Sequence, residues 1–339
     1  MATINAAELK SRVEALLDEM ETVADRDIVA DIVNTSLRLA TDNASRLDLK
    51  IVATALREMR AAFRAFAPYR QRRKVTMFGS ARTLPDSPLY VQARNMASAL
   101  ADADWMTVTG AGPGIMTAGM EGAGRANAFG VNIRLPFEQG ANAFIAKDPK
   151  LVEMKYFFTR KLMLIKESDG YVVLPGGFGT LDEAFELLTL LQTGKAEPAP
   201  VVLLDVHGGT YWEAWERFVV DQVDAGGYVT KGDECLWLRT DSVTAAAAEV
   251  LGFYANYHSL RWVGRDLILR VQRLPTEQQL RDLNVAFNDM LQEGVIRVAE
   301  TSRSERADND VVDLGRLALR FDKFSYHRLR EFINALNQL

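Results

Sequence analysis

The residues with the most chemical potential lie in one run, Pro175-Gly176-Gly177-Phe178-Gly179-Thr180-Leu181-Asp182-Glu183. Glycines at this density let backbone N–H groups approach an anion closely. A helix starting there would also aim its free N–H groups and the positive end of its dipole at a phosphate. Asp182 and Glu183 then stand one helical turn above the anion-binding backbone. They are explained as a structural cap, since negative side chains favour a helix N-terminus. They are also explained chemically: a carboxylate beside a phosphate site suits a sugar hydroxyl, a water or a developing cation better than the phosphate itself. That second explanation points to nucleotide chemistry at the ribose. Two more glycine turns, Phe78-Gly79-Ser80 and Thr109-Gly110-Ala111-Gly112-Pro113-Gly114, follow apolar runs in the same manner. Taken alone, they fit tight strand-to-helix connections equally well. Neither contains Gly-Lys-Ser/Thr, and neither gives a clean Gly-x-Gly-x-x-Gly with an acid after the next strand, so kinase and dehydrogenase readings fall. Upstream, Arg160 and Lys161 precede Leu162-Met163-Leu164-Ile165-Lys166. They form either a solvated basic pair or the amino end of a helix lying over the same sheet edge.

The elements that must position these residues alternate. From Lys74 to about Ala255, short β-prone runs at 75–78, 106–109, 130–133, 171–174 and 201–204 are separated by helical stretches at 90–103, 115–127, 160–167, 181–191 and 212–223. This is the pattern of parallel βαβ units and predicts an α/β fold, a doubly wound Rossmann-like sheet. In such a sheet the carboxyl ends of the strands line the ligand crevice, and each glycine turn sits at one of those ends. Before it, Ala6 to Phe66 contains no glycine or proline and repeats apolar residues at helical spacing, a prefix of two or three helices closed by Pro68 and the basic run around Arg72. After Tyr257 the sequence predicts strands at 267–271, 295–298 and 317–321, helices at 276–291 and 326–336, and a mobile charged loop over 300–310. The expected organisation is a helical extension over 1–70, a nucleotide-binding catalytic domain over 71–256 and a small α+β extension over 257–339. The flanks supply packing and assembly surface or, alternatively, regulation.

Composition limits the function classes. With 45 Asp and Glu against 40 Lys and Arg in 339 residues, 48% hydrophobic, the chain can bury a sizeable core, which excludes disordered and fibrous architectures. No run of about 18 apolar residues occurs, and Met1-Ala2-Thr3-Ile4-Asn5 lacks a leader pattern, so a cytoplasmic protein without a membrane partner is expected. One cysteine, Cys235, and three scattered histidines, His207, His258 and His327, offer no metal-ligand spacing. The mild net acidity argues against a nucleic-acid partner. Tyr69-Arg70-Gln71-Arg72-Arg73 is the only stretch that interleaves aromatic and basic residues as a single-stranded DNA binder would.

Together, Phe78-Gly79-Ser80-Ala81-Arg82, Thr109-Gly110-Ala111-Gly112-Pro113-Gly114-Ile115-Met116, Arg160-Lys161 and the complete Pro-Gly-Gly-x-Gly-Thr-x-x-Glu motif ending at Glu183 resemble the LOG (Lonely Guy) family of nucleotide phosphoribohydrolases. The resemblance covers roughly residues 75–223. It implies hydrolysis of the N-glycosidic bond of a nucleoside 5′-monophosphate, usually AMP or a cytokinin riboside monophosphate, to free base and ribose 5-phosphate. It also implies that Arg160 and Glu183 are catalytic. Nucleotide and phosphate binding would fall to Gly79, Ser80, Gly112, Gly114, Met116, Pro175, Gly176, Gly177, Gly179 and Thr180. No metal or organic cofactor is implied, and a homodimer or larger homo-oligomer is. Where short cytokinin-activating members carry Met-His-x-Arg-Lys, this chain has Phe157-Phe158-Thr159-Arg160-Lys161, and its long flanks make it more similar to longer bacterial relatives, some of which are general nucleotide nucleosidases. Relatives are often labelled lysine decarboxylases, but nothing marks Lys155, Lys161 or Lys166 as a pyridoxal phosphate lysine. Glycosidic cleavage passes through an oxocarbenium-like state, so Glu183 would stabilise positive charge or deprotonate the attacking water. Arg160, always protonated, would act electrostatically. The alternative on the same scaffold is a non-hydrolytic nucleotide or cofactor carrier or sensor, similar to molybdenum-cofactor carriers.

Overall fold

In a computed structural model the chain is described over residues 6–20, 25–134 and 142–339. Met1 to Asn5, where the sequence shows no leader pattern, lie outside the described residues. The chain divides into two compact units, Met1–Arg60 and Ala61–Leu339. The glycine-free prefix forms three helices, α1 (Ala6–Asp18), α2 (Arg26–Thr41) and α3 (Arg46–Phe66). Within the first unit Arg26 ties the start of α2 to α1 through the Glu14 and Leu17 carbonyls, at 2.7 and 3.2 Å, and an ion pair with Asp18.

The second unit contains β1 (Lys74–Phe78), α4 (Pro88–Asp102), β2 (Met106–Thr109), α5 (Ile115–Asn127), β3 (Ala128–Ile133), β4 (Leu151–Met154), α6 (Phe157–Lys166), β5 (Gly170–Val173), α7 (Phe178–Gln192), β6 (Val201–Leu204), α8 (Tyr211–Phe218), β7 (Leu238–Thr240) and α9 (Val243–Gly252). The seven strands form one parallel sheet in the order β4-β3-β2-β1-β5-β6-β7. This is the expected α/β doubly wound sheet. Strands covered on both faces read as continuous apolar runs, and β1, β2, β5 and β6 are buried at every position. Val75, Met77, Met96, Leu100, Ile115, Val172 and Leu204 belong to the core between the sheet and its helices. The chain runs outward from β1 to β4 and then returns to the other side of β1 with β5. The strand order therefore reverses between β1 and β5, and the crevice opens at their carboxyl ends.

Beyond this sheet a second, antiparallel sheet, order β10-β11-β9-β8, uses β8 (Tyr257–Val263), β9 (Asp266–Val271), β10 (Leu291–Val298) and β11 (Gly315–Phe321). Helices α10 (Glu277–Ala286) and α12 (Tyr326–Asn337) accompany it, and Leu269, Phe321, Phe332 and Leu336 belong to its core. Two expectations need correction here. The helix expected over 276–291 ends at Ala286, because the backbone leaves helical geometry at Phe287 (φ −126°) and Leu291 pairs with Phe321 in the sheet. The charged stretch expected to be a mobile loop instead carries the short helix α11 (Arg303–Ala307), whose Glu305 is completely buried. Glu305 Oε1 accepts from Arg270 Nη2 at 3.1 Å and from Arg316 Nε at 3.2 Å, while Ser302 N–H donates to its other oxygen at 3.0 Å. Burial opposes its charge, but these donors more than offset that and hold its carboxyl down at about 2.

Candidate active site

At the reversal point, backbone hydrogen bonds join the three glycine turns. Leu174 N–H donates to Phe78 O at 2.9 Å, Ser80 N–H to Pro175 O at 3.2 Å and Ile115 N–H to Ser80 O at 3.1 Å. Close approach demands glycine: Gly114 takes φ +66°, and a Cβ there would overlap the Ser80 carbonyl. Similarly a Cβ on Gly176 would overlap Thr180 Oγ1. The turn after β5 leads directly into α7, whose N-cap is Gly177 and whose first turn receives no side-chain cap. By contrast α4 and α9 are capped by Ser87 and Ser242. The N–H groups of the first turn of α7 have no intrahelical acceptor, and Gly177, Phe178 and Gly179 are exposed while Pro175 and Thr180 are buried. Ser80 Oγ accepts Arg82 N–H at 3.1 Å, leaving its own hydroxyl proton for an external acceptor. Ser80, Arg82, Pro175 and Gly176 line an open cleft of about 490 Å³.

The catalytic candidates meet across α6 and α7. Arg160 Nη1 lies 3.4 Å from Glu183 Oε1, with side chains only 10% and 13% exposed. Arg160 is held independently by its Nε, which donates to Val131 O of β3 at 3.0 Å. Its guanidinium lies against Gly110, where a Cβ would overlap Nη2, and Met116 Sδ packs against the same glycine. Burial pushes the Glu183 carboxyl up to about 7, with Arg160 and Lys161 pulling in the opposite direction. The two carboxylates of the motif are thus separated. Asp182 stays exposed and pairs with Lys161 at 2.7 Å, and the same ammonium reaches Glu186 at 2.6 Å. Burial works against the Lys161 charge, but these two carboxylates outweigh it and raise its pKa.

Of the residues expected to bind nucleotide, Gly79, Ser80, Gly114, Pro175, Gly176, Gly177, Gly179 and Thr180 gather at the joined turns. Gly112 and Met116 touch each other on the Arg160 side, where a Cβ on Gly112 would meet Met116 Cε at 2.6 Å. A larger cleft of about 1060 Å³ runs beside α6 and α7 from Lys161 to Arg73, but neither Arg160 nor Glu183 lines it. The Arg160–Glu183 pair thus belongs with the glycine edge and not with the larger cleft. In the basic-aromatic stretch, Arg72 pairs with Asp104 and Arg73 with Asp169, at 2.7 and 2.6 Å. No helix among the described residues is long and apolar enough to cross a membrane.

Residues 114–250 match the profile of a family described as possible lysine decarboxylase. A probable cytokinin riboside 5′-monophosphate phosphoribohydrolase of Arabidopsis thaliana is 42% identical over 67 residues, which is 20% of this chain and 32% of that protein. A probable enzyme of the same description from Oryza sativa subsp. japonica is 40% identical over 70 residues, 21% of this chain and 29% of that protein. Over this segment the chain is similar to the LOG family. It spans about a third of the length of these curated LOG relatives. Among solved structures, the molybdenum cofactor carrier protein of Chlamydomonas reinhardtii aligns with TM-score 0.38 and 23% identity over 53% of this chain and 97% of its own. The molybdenum cofactor binding protein of Rippkaea orientalis aligns with TM-score 0.36 and 18% identity over 52% and 93%.

Sequence reasoning missed several residues that shape this site. The Val131 carbonyl and Asn142, whose Nδ2 donates to Gly112 O at 3.1 Å, come from distant chain positions. Asp205 and Tyr211 follow β6 on the same sheet edge, and Tyr211 Oη donates to Gly176 O at 2.7 Å. Their one sequence signal was position, immediately after a strand whose neighbour carries the glycine motif.

Proposed function

We propose that the protein hydrolyses the N-glycosidic bond of a nucleoside 5′-monophosphate, AMP or a related purine nucleotide or a cytokinin riboside monophosphate, to free base and ribose 5-phosphate. The observation that carries this reading is the buried Arg160–Glu183 pair beside an uncapped, glycine-lined helix mouth. The phosphate takes the N–H groups of residues 177–180 and the Ser80 hydroxyl, as anions do at helix N-termini. The ribose then extends toward Glu183. As the C1′–N bond breaks, positive charge grows on the sugar, and the ionised carboxylate stabilises it and accepts a proton from the water whose oxygen bonds C1′. The proton passes to the departing base nitrogen. A carboxyl near 7 suits both halves of that relay at neutral pH. Arg160 stabilises negative charge on the leaving base. A decarboxylase reading fits poorly, since Lys161 is held as an ammonium between two carboxylates and does not offer the neutral amine that a Schiff base requires.

We further infer self-association. Phe157, Phe158 and Leu162 on α6, Phe185 on α7 and Phe218 on α8 are each more than 40% exposed, and large apolar side chains left in water become covered when two copies associate through them. Light scattering at micromolar concentration tests this, and a monomer would refute it. For the activity, purified protein is incubated with a panel of nucleoside monophosphates while free base and ribose 5-phosphate are followed by chromatography. Release by the wild type and not by Glu183→Gln supports the hydrolase. Nucleotide bound without release would instead support a carrier or sensor.

A further inference from the structure

Glycine gives the loop over residues 175–180 close access to an anion, but it leaves the orientation of the loop's peptides undetermined. A Gly-Gly peptide can rotate as a unit at little steric cost. Rotation at Gly176–Gly177 would swap an attractive N–H for a repulsive carbonyl at the helix mouth. The protein holds this orientation from outside the loop. The Pro175 carbonyl is taken by Ser80 N–H, and the Gly176 carbonyl by the Tyr211 hydroxyl at 2.7 Å. In a trans peptide the next N–H points opposite to the carbonyl. With the Gly176 carbonyl held on Tyr211, the Gly177 N–H faces away from Tyr211, on the exposed side of the turn.

Tyr211 is itself fixed. Its backbone N–H donates to Asp205 Oδ2 at 3.2 Å, and Asp205, only 6% exposed, also accepts Val206 N–H at 2.8 Å. Its ring packs edge-on against the fully buried Trp212, with centroids 4.8 Å apart. Burial keeps the phenol above its ordinary pKa, so at neutral pH it remains a protonated donor. We propose that Tyr211, anchored by Asp205 at the end of β6, is a positioning residue for phosphate recognition: it sets the Gly176–Gly177 peptide so that the Gly177 N–H is presented to the 5′-phosphate. This rests on the phosphate-binding part of the proposed function and not on the hydrolytic step.

The test compares wild type with Tyr211→Phe, which keeps the ring that packs on Trp212 and removes only the donor. Calorimetric titration with ribose 5-phosphate, and with ribose as control, is combined with steady-state kinetics on AMP. Loss of one buried hydrogen bond corresponds to about fivefold to tenfold in affinity. The expected result is that much increase in Kd for ribose 5-phosphate and in KM for AMP, with kcat within twofold and no change in any ribose binding. Asp205→Asn, which loosens the anchor without touching the loop, should move Kd in the same direction. An unchanged Kd for ribose 5-phosphate in Tyr211→Phe, or a fall in kcat at constant KM, overturns the proposal. If the wild type binds ribose 5-phosphate but releases no base, the hydrolase reading fails while the Kd comparison still decides the role of Tyr211. If it binds no phosphorylated ligand, both fall.

Discussion

Replacing Glu183 by Gln should move activity and stability in opposite directions, and the size of the stability change follows from burial. The side chain is 13% exposed, and burial raises its carboxyl from 4.5 to about 7 even with Arg160 at 3.4 Å. The sign is that of a group whose folded pKa exceeds its unfolded value: its favourable contribution is complete below about 4.5 and is lost as pH rises through about 7. At pH 8 the wild type therefore carries an ionised carboxylate that folding disfavours, by about 3 kcal/mol at 1.36 kcal/mol per pKa unit. Glutamine resembles the neutral acid in shape and never ionises. Glu183→Gln should thus unfold several degrees higher than wild type at pH 8, with the difference closing by pH 5, while turnover falls by about 10²–10⁴. Thermal unfolding from pH 5 to pH 8.5, followed by circular dichroism beside the chromatographic assay, measures both. A variant that is less stable than wild type at pH 8, or a stability difference independent of pH, would show that Arg160 compensates the carboxylate fully and would refute the argument from burial.

If the ionised form of the same carboxyl activates water, kcat/KM should fall about tenfold per pH unit below about 7, and a flat profile down to pH 5.5 would remove Glu183 as the base. Gly110→Ala places a methyl group on Arg160 Nη2 and should cost about 10² in turnover with little change in far-ultraviolet circular dichroism, because displacement of a catalytic group by about 1 Å carries that penalty. Activity within twofold of wild type would mean that the Arg160 position is not critical. In the antiparallel sheet region, Glu305→Gln leaves Arg270 and Arg316 without their buried counter-ion and should destabilise by about 3–5 kcal/mol, read from urea unfolding. With Glu305 held down at about 2 and Asp310 also lowered, the wild-type stability from these carboxylates is present above their unfolded values and is lost as pH falls from about 4.5 towards 2, a loss that Glu305→Gln should largely lack.

How far the sequence disclosed this structure depended on whether a signal was local. Parallel strands buried on both faces announce themselves as apolar runs, so 106–109 and 201–204 coincide with β2 and β6. Short edge strands do not: β4 contains the exposed Glu153, β7 the exposed Arg239, and both went unread. Spacing misled over 276–291, where Leu283, Phe287 and Leu291 keep helical intervals although Leu291 already belongs to β10. Charge misled over 300–310, because a segment rich in Glu, Arg and Asp looks solvated unless its partners, Arg270 and Arg316, are known to lie beneath it. The glycine motif marked the turn that opens α7 without a side-chain cap. It could not show that Arg160 leans on the carbonyl of Val131, 29 residues upstream, or that Tyr211, 35 residues downstream of Gly176, holds its carbonyl.

That anchoring resolves a conflict built into the motif. A carboxyl that titrates near 7 is neutral in about half the molecules at neutral pH, and an arginine positioned only by it would lose its place whenever it took up a proton. Arg160 does not depend on Glu183 in this way, because the β3 carbonyl fixes Nε and the missing side chain of Gly110 admits the guanidinium. Lys161, which shares the helix turn, is occupied by Asp182 and Glu186 and so stays between α6 and α7 rather than competing for the buried acid. The proton on Glu183 can therefore come and go without disturbing the cation beside it. If Glu183 takes a proton from water and returns it to a leaving base in one turnover, as proposed, the relay requires that independence, whereas a cap or a purely structural ion pair does not.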